Sequence, residues 1–308
     1  MSNELEKLFQ EYQNEIHYSA RLRPETIRGY GEVFKLFLKI MPEVRDIDSL
    51  TPAMLNEFFK RIETRQRKFG KKIVTGVKQT TIKTQYSKLN VFFVWLKTNG
   101  HILENPLITI PSPKVRYDDF KRLTDEGVNK IYSAITQHST TSLMLRRDTL
   151  IVSILLFCGL RKGELIGLQV NDIDLVKKEI TIRAATSKSN RTRILKIHPT
   201  LVMHLKDYLK ERRTSNLKTA SLIASLKNDT GLTHHGFQHW VKKLIEKSGV
   251  KLHLHQFRHT FACKLVEANV HIVNIQKLMG HTDIKMTMKY LRSIRPEDME
   301  EDIGKISF

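Results

Sequence analysis

The sequence predicts a mainly α protein with a small antiparallel β-sheet, arranged as a helical amino-terminal domain followed by a mixed α/β domain. Three observations lead there. Apolar residues recur at helical spacing through the first hundred positions, and Pro106, Pro111 and Pro113 then interrupt the pattern. Between 179 and 197, two short stretches alternate with period two among further helical patterns. At 308 residues with 40% hydrophobic content, the chain can bury a core in each domain.

The opening stretch Leu5 to Ile16 starts a bundle of about four helices. Pro24 suits a first turn, after which Ile27, Tyr30, Phe34, Phe37, Leu38 and Met41 form one stripe. Thr51 reads as an N-cap with Pro52 at the first helical position, and Leu55, Phe58, Phe59 and Ile62 follow on one face. Ile82, Tyr86, Leu89, Phe93 and Leu96 make the last stripe, which ends at Asn99-Gly100. Between these helices lies a basic run, Arg65 to Lys72, which reads as a charged surface loop suited to phosphate contact. Residues 105–116 read as a linker, so the domains are expected to span 1–115 and 116–308.

In the second domain, Leu123-Thr124-Asp125-Glu126 looks like a helix start and Leu150 to Leu160 like a buried helix closed by Gly159. A further helix begins near Lys162. Glu179 to Arg183 and Arg193 to Ile197 predict a β-hairpin with Lys188 near its tip. From Leu201 the patterns are helical again and end in a short acidic tail.

Fifty-two basic against 32 acidic side chains give a net charge of +20, which favours a polyanionic partner. Membrane is disfavoured, because the longest nearly apolar stretch is about half the ~20 residues that span a bilayer. The amino terminus lacks the basic and then apolar pattern of an export signal, so a cytoplasmic protein is expected. Cys158 and Cys263 sit in apolar helical contexts and read as buried, reduced thiols.

The chemistry concentrates between 255 and 290. His255 and Arg258 are three apart and share one side of a helix, with Phe257, Phe261 and Leu265 on the buried side. Gly280 suits a helix C-cap, Thr282 or Asp283 can cap the next helix, and His281 sits at the junction before Tyr290. Singly, each has an ordinary structural explanation, since a histidine beside an apolar face is usually hydrogen-bonded and a tyrosine usually packs. His255 and His259 have the i, i+4 spacing of a zinc helix, but Gln256 stands where its glutamate would be, which disfavours metal.

Taken together, Gly159-Leu160-Arg161-Lys162-Gly163-Glu164-Leu165, Lys188, His255 with Arg258, Gly280-His281, and Tyr290 nine residues after His281 resemble the tyrosine recombinase or phage integrase family, including its Xer branch. The resemblance covers the second domain and, more loosely, the amino-terminal bundle, which is similar to the family's helical, SAM-like core-binding domain. It implies a site-specific DNA recombinase that cleaves and rejoins strands through a covalent 3′-phosphotyrosine and a Holliday junction, with four protomers on paired sites and no cofactor.

On that reading Tyr290 is the nucleophile, and Arg161 and Arg258 offer forked donors to the non-bridging phosphate oxygens in place of metal ions. His255 accepts the phenol proton, His281 donates a hydrogen bond to the phosphate, and Lys188 protonates the leaving 5′-oxygen, with Lys196 and Arg191 as competitors for that role. Glu164 is a support residue. Arg65, Arg67, Lys68, Lys71 and Lys72 contact DNA, closing a clamp opposite the catalytic domain. Met299, Ile303 and Ile306 of the acidic tail dock on a neighbouring protomer or on their own domain. The chain starts almost at the first bundle helix, without the arm-binding domain of many phage enzymes, which favours a Xer-like or transposon recombinase. Two other classes fit parts of the pattern: a type IB topoisomerase, which nicks and reseals one strand, and a non-catalytic DNA-binding protein of the same fold.

Overall fold

The computed structural model describes residues 4–70, 72–115, 122–187 and 190–293. The chain divides into two compact units, Met1–Asp118 and Asp119–Phe308. Its architecture is mainly α with small antiparallel sheets.

In the first unit, helices form where the apolar stripes lie: α1 (Glu4–Tyr18), α2 (Pro24–Ile40), α3 (Pro52–Thr64) and α4 (Gln79–Thr98). Proline occupies the first turn of α2 and of α3, and Thr51 Oγ1 accepts the Met54 N–H at 3.2 Å to complete the start of α3. Aromatic rings join the bundle: Phe9 stacks on Phe34 at 3.9 Å and meets Phe92 edge-on at 5.1 Å. The expected linker begins by packing on this core. Leu107 is buried in it, and the Tyr86 hydroxyl donates to the Ile110 carbonyl at 2.9 Å.

The basic run is not a loop. Gln66–Phe69 (β1) and Lys72–Thr75 (β2) pair antiparallel as a hairpin, with Gly70 in the left-handed region at its turn. Gly76 locks the base, since its φ of +67° is left-handed and a Cβ there would lie 2.2 Å from the Glu63 carbonyl oxygen.

The second unit holds α5 (Asp125–His138), α6 (Ser142–Cys158), α7 (Lys162–Ile166), the strands β3 (Ile173–Asp174), β4 (Glu179–Ile182) and β5 (Arg193–Lys196), then α8 (Pro199–Thr214), α9 (His234–Ser248), α10 (Leu254–Glu267), α11 (Ile272–Met279) and α12 (Lys285–Met288). Thr124 caps α5 through the Gly127 N–H. Central α6 buries every residue from Leu150 to Leu155, all but Ser153 apolar, and packs against α8 and α10. Strands β4 and β5 form the expected hairpin, with Ile182 opposite Arg193, and β3 adds a third strand beside β4. A two-residue strand is too short to leave a period-two signature. No helix of the described residues is long and apolar enough to cross a membrane.

Candidate active site

Two helix ends build the site. Helix α6 stops at Gly159 and α11 at Gly280, both with left-handed C-cap conformations at φ 56° and 63°. Each glycine turns the chain so that terminal carbonyls point at an arginine. Arg258, on α10 and buried, donates through Nη1 to the Gly159 carbonyl at 2.7 Å and through Nη2 to the Met279 carbonyl. Arg161 donates through Nη2 to the Gly280 carbonyl at 3.4 Å. The negative ends of two helices thus hold two guanidinium groups side by side. Gly159 is required twice over, because a Cβ there would also lie 2.3 Å from the Phe261 ring.

Glu164 is the counter-charge. Its side chain is fully buried, and it accepts the Arg161 backbone N–H at 2.9 Å and Nη1 at 3.1 Å. Burial alone raises a carboxyl pKa, but the hydrogen bonds and charges of Arg193 and then Arg161 prevail and hold Glu164 at about 2. Arg193, absent from the sequence-predicted set, pairs with it in two parallel bonds of 2.9 Å, a fork-to-fork geometry. Its Nε also donates to the Leu278 carbonyl at 3.2 Å, so one side chain ties β5 to α7 and to the end of α11. The available signal was its strand position: Arg193 shares a face with Leu195 and pairs with buried Ile182, and a charge facing a core needs a buried partner.

His281 follows the second glycine. Its Nε2 lies 3.0 Å from Arg258 Nη2 and its Nδ1 2.9 Å from Thr287 Oγ1. Arginine only donates, so Nε2 accepts and the ring proton sits on Nδ1, donating to the buried Thr287 hydroxyl. Burial first, then the charges of Arg258, Arg161 and Arg193, push His281 down to about 4. In this structure His281 is therefore a neutral acceptor, and donation from Nε2 to a phosphate oxygen requires a proton that the anion itself brings into favour.

The same shift predicts a pH dependence. An imidazole held at about 4 when folded and near ~6.5 when unfolded binds more protons unfolded. Its contribution to stability is present above the unfolded value and is lost as pH falls toward the folded value. Comparing thermal unfolding of the chain with that of His281→Gln between pH 7 and pH 4.5 isolates this group. Glu164, with a carboxyl pKa of about 2, loses its contribution only at lower pH. The variant is expected to show the shallower fall, and parallel curves would contradict the assignment.

Tyr290 lies on the 3₁₀ turn Lys289–Ser293 after α12, half-buried against Ala262, Val266, Ile275 and Met279. Its ring is parallel to that of His281 at 6.3 Å and 5.2 Å from that of His259. Burial pushes its phenol up and the Arg258 charge pulls the other way. Arg161, Arg258, His281 and Tyr290 thus come together with Glu164 and Arg193.

His255 stands on the exposed side of α10, one turn before Arg258, with Gln256 beside it accepting the His253 N–H at 2.7 Å to cap the helix. Lys188 lies outside the described residues, as do Lys71 and the tail positions Met299, Ile303 and Ile306. Of its competitors, Lys196 is engaged with Glu179 at 2.6 Å, and Arg191 is exposed. Of the expected DNA-contacting set, Lys68 and Lys72 are exposed on the hairpin, Arg65 is partly buried at its base, and Arg67 donates to the Gly76 carbonyl.

Residues 121–295 match the phage integrase family and residues 9–100 match the phage integrase N-terminal SAM-like domain. Similar proteins include the tyrosine recombinase XerC of Alcanivorax borkumensis, 30% identical over 88% of this chain and 84% of that one. The tyrosine recombinase XerA of Saccharolobus solfataricus is 28% identical over 92% of this chain and 87% of that one. In fold, the chain resembles the Tn1549 transposon integrase, with a TM-score of 0.76 and 21% identity over 97% of this chain and 99% of that one. The chain belongs to the phage integrase family, and with it to the tyrosine recombinases, which cleave and rejoin DNA through a tyrosine-linked intermediate.

Proposed function

We propose that the chain is a site-specific recombinase of Xer or transposon type, acting in the cytoplasm as a homotetramer on two duplex DNA sites, and that residues of one protomer form each active centre. The observation that carries this is the meeting of Arg161, Arg258, His281 and Tyr290 around two glycine-capped helix ends of one chain. The net charge of +20 suits a DNA partner, and the Tn1549 integrase was solved with circular-intermediate DNA.

In this reading the Tyr290 oxygen attacks the scissile phosphorus, a tyrosyl–phosphate bond forms, and the bond to the 5′-oxygen breaks. His255 takes the phenol proton and Lys188 gives one to the departing oxygen. Arg161 and Arg258 neutralise the non-bridging oxygens, with Glu164 and Arg193 setting the angle of Arg161. A 5′-hydroxyl from the partner duplex then attacks the phosphotyrosine and restores a phosphodiester, so the energy of the broken bond is kept and no nucleotide is consumed.

The test uses a plasmid carrying two copies of the duplex that the chain protects on genomic DNA. Reciprocal products and a four-way junction are expected from paired sites only. Relaxation of supercoils on a single site, with no exchange from two, would favour a topoisomerase and sink the recombinase reading.

A further inference from the structure

We propose that the β1–β2 hairpin reads base edges in a groove of the duplex, which deepens the recombinase reading and rests on it. The hairpin stands away from its bundle's core: Gln66 to Lys68 and Lys72 to Thr75 are all exposed, and no third strand joins the ribbon among the described residues. An isolated two-stranded ribbon is marginal in water. Here its base is nevertheless rigidly built, by the close approach of Gly76 to Glu63, the Gly76 N–H donated to the Arg65 carbonyl at 2.8 Å, and both Arg67 bonds to the Gly76 carbonyl at 3.0 and 2.6 Å. A stiff root under a projecting ribbon with no core of its own suits a part that works on a partner.

The register says which face works. Partnered residues lie on the same face and successive residues alternate, so Gln66, Lys68, Ile73 and Thr75 share one face and Arg67, Lys72 and Val74 the other. Arg67 is turned back onto the hairpin's own base, so the second face presents Lys72 and Val74, whereas the first carries the fuller set of groups suited to base edges. Its chemistry matches base edges: glutamine pairs with adenine N6 and N7, lysine reaches guanine O6 and N7, and the methyl groups of isoleucine and threonine suit the thymine methyl. Ile73 is 66% exposed in the middle of this basic ribbon. From Arg65 to Gly76 there are five basic residues and no acidic one, complementary to a polyanion rather than to an apolar protein face. A two-stranded ribbon also fits the major groove, about 12 Å wide.

The experiment selects bound duplexes from a random library with the full chain carrying Tyr290→Phe, so that binding is read without cleavage. The comparison variant adds Gln66→Ala, Ile73→Ala and Thr75→Ala, which leaves every charge in place. Base preference is expected to fall about tenfold at one contiguous block of roughly two to four base pairs. The rest of the motif and the salt dependence should stay as in the parent.

An unchanged motif would overturn the proposal and leave phosphate contact alone. So would an unchanged motif accompanied by altered self-association, which would make the ribbon a protein contact. Ile73→Thr, which keeps the β-branch, is carried alongside so that a fold defect in the triple variant does not hide the answer. A parent that enriches no duplex removes both readings. A motif that shifts on a duplex to which the Tyr290 chain forms no covalent adduct sinks the recombinase reading and leaves the hairpin's role standing.

Discussion

Replacing Tyr290 by phenylalanine is expected to abolish covalent attachment to DNA while leaving binding and fold in place. The ring packs beside Ala262, Val266, Ile275 and Met279, and phenylalanine keeps that packing while removing only the hydroxyl. The measurement is a suicide substrate, nicked beside the scissile phosphate so that the short fragment diffuses away and the protein stays joined through a 3′-phosphotyrosine. Peptide mapping of the wild-type adduct should end at Tyr290. An undiminished adduct in the phenylalanine variant, or one mapped to Tyr208, would sink the mechanism. Tyr208 is a strong control, since its side chain is fully buried and its hydroxyl accepts the Ala224 N–H at 3.1 Å.

Most helices were legible because they bury one stripe against a core, and a stripe survives as periodicity. The hairpin at 66–75 was not, because it buries neither face, and Gln-Arg-Lys-Phe-Gly-Lys-Lys-Ile-Val-Thr carries no alternation of apolar with polar residues. In the site, Arg161, Arg258 and His281 could be named from sequence because their joint motif resembles the family's, and the fold then brings the three together. Thr287 could not, for it looks like any helical threonine until the fold brings it 2.9 Å from the imidazole. The protonation state of His281 was hidden for the same reason: it is set first by burial and then by three arginines that are far apart in the chain and adjacent only in space. Arg193 lay between these extremes, since a charge on the inner face of a strand announces a buried partner without saying which one.

Exchanging Arg258 for lysine is expected to slow cleavage by roughly a hundredfold or more, even with the charge retained. Arg258 spans three acceptors on two segments: the carbonyl of Gly159 at the end of α6 and, at the end of α11, that of Met279 and Nε2 of His281 at 3.0 Å. A single ammonium cannot reach all three, so at least one buried acceptor loses its donor, a defect of about 1–3 kcal/mol. Burial and the neighbouring Arg161 charge already push the guanidinium down to about 10, and it remains cationic at neutral pH. An amine starts nearer neutrality, at ~10.4 rather than above 12, so the same surroundings leave the lysine variant partly uncharged. The loss thus has two sources, misplacement of the donors and a smaller fraction of the charged form. They separate by pH: lowering pH from 8 to 6.5 should restore part of the rate in Arg258→Lys relative to wild type. Single-turnover cleavage of the suicide substrate at saturating protein reads this without interference from binding, at a temperature where thermal unfolding shows both chains folded. A variant that cleaves within about threefold of wild type would mean that Arg258 supports the two helix ends and leaves the phosphate to Arg161.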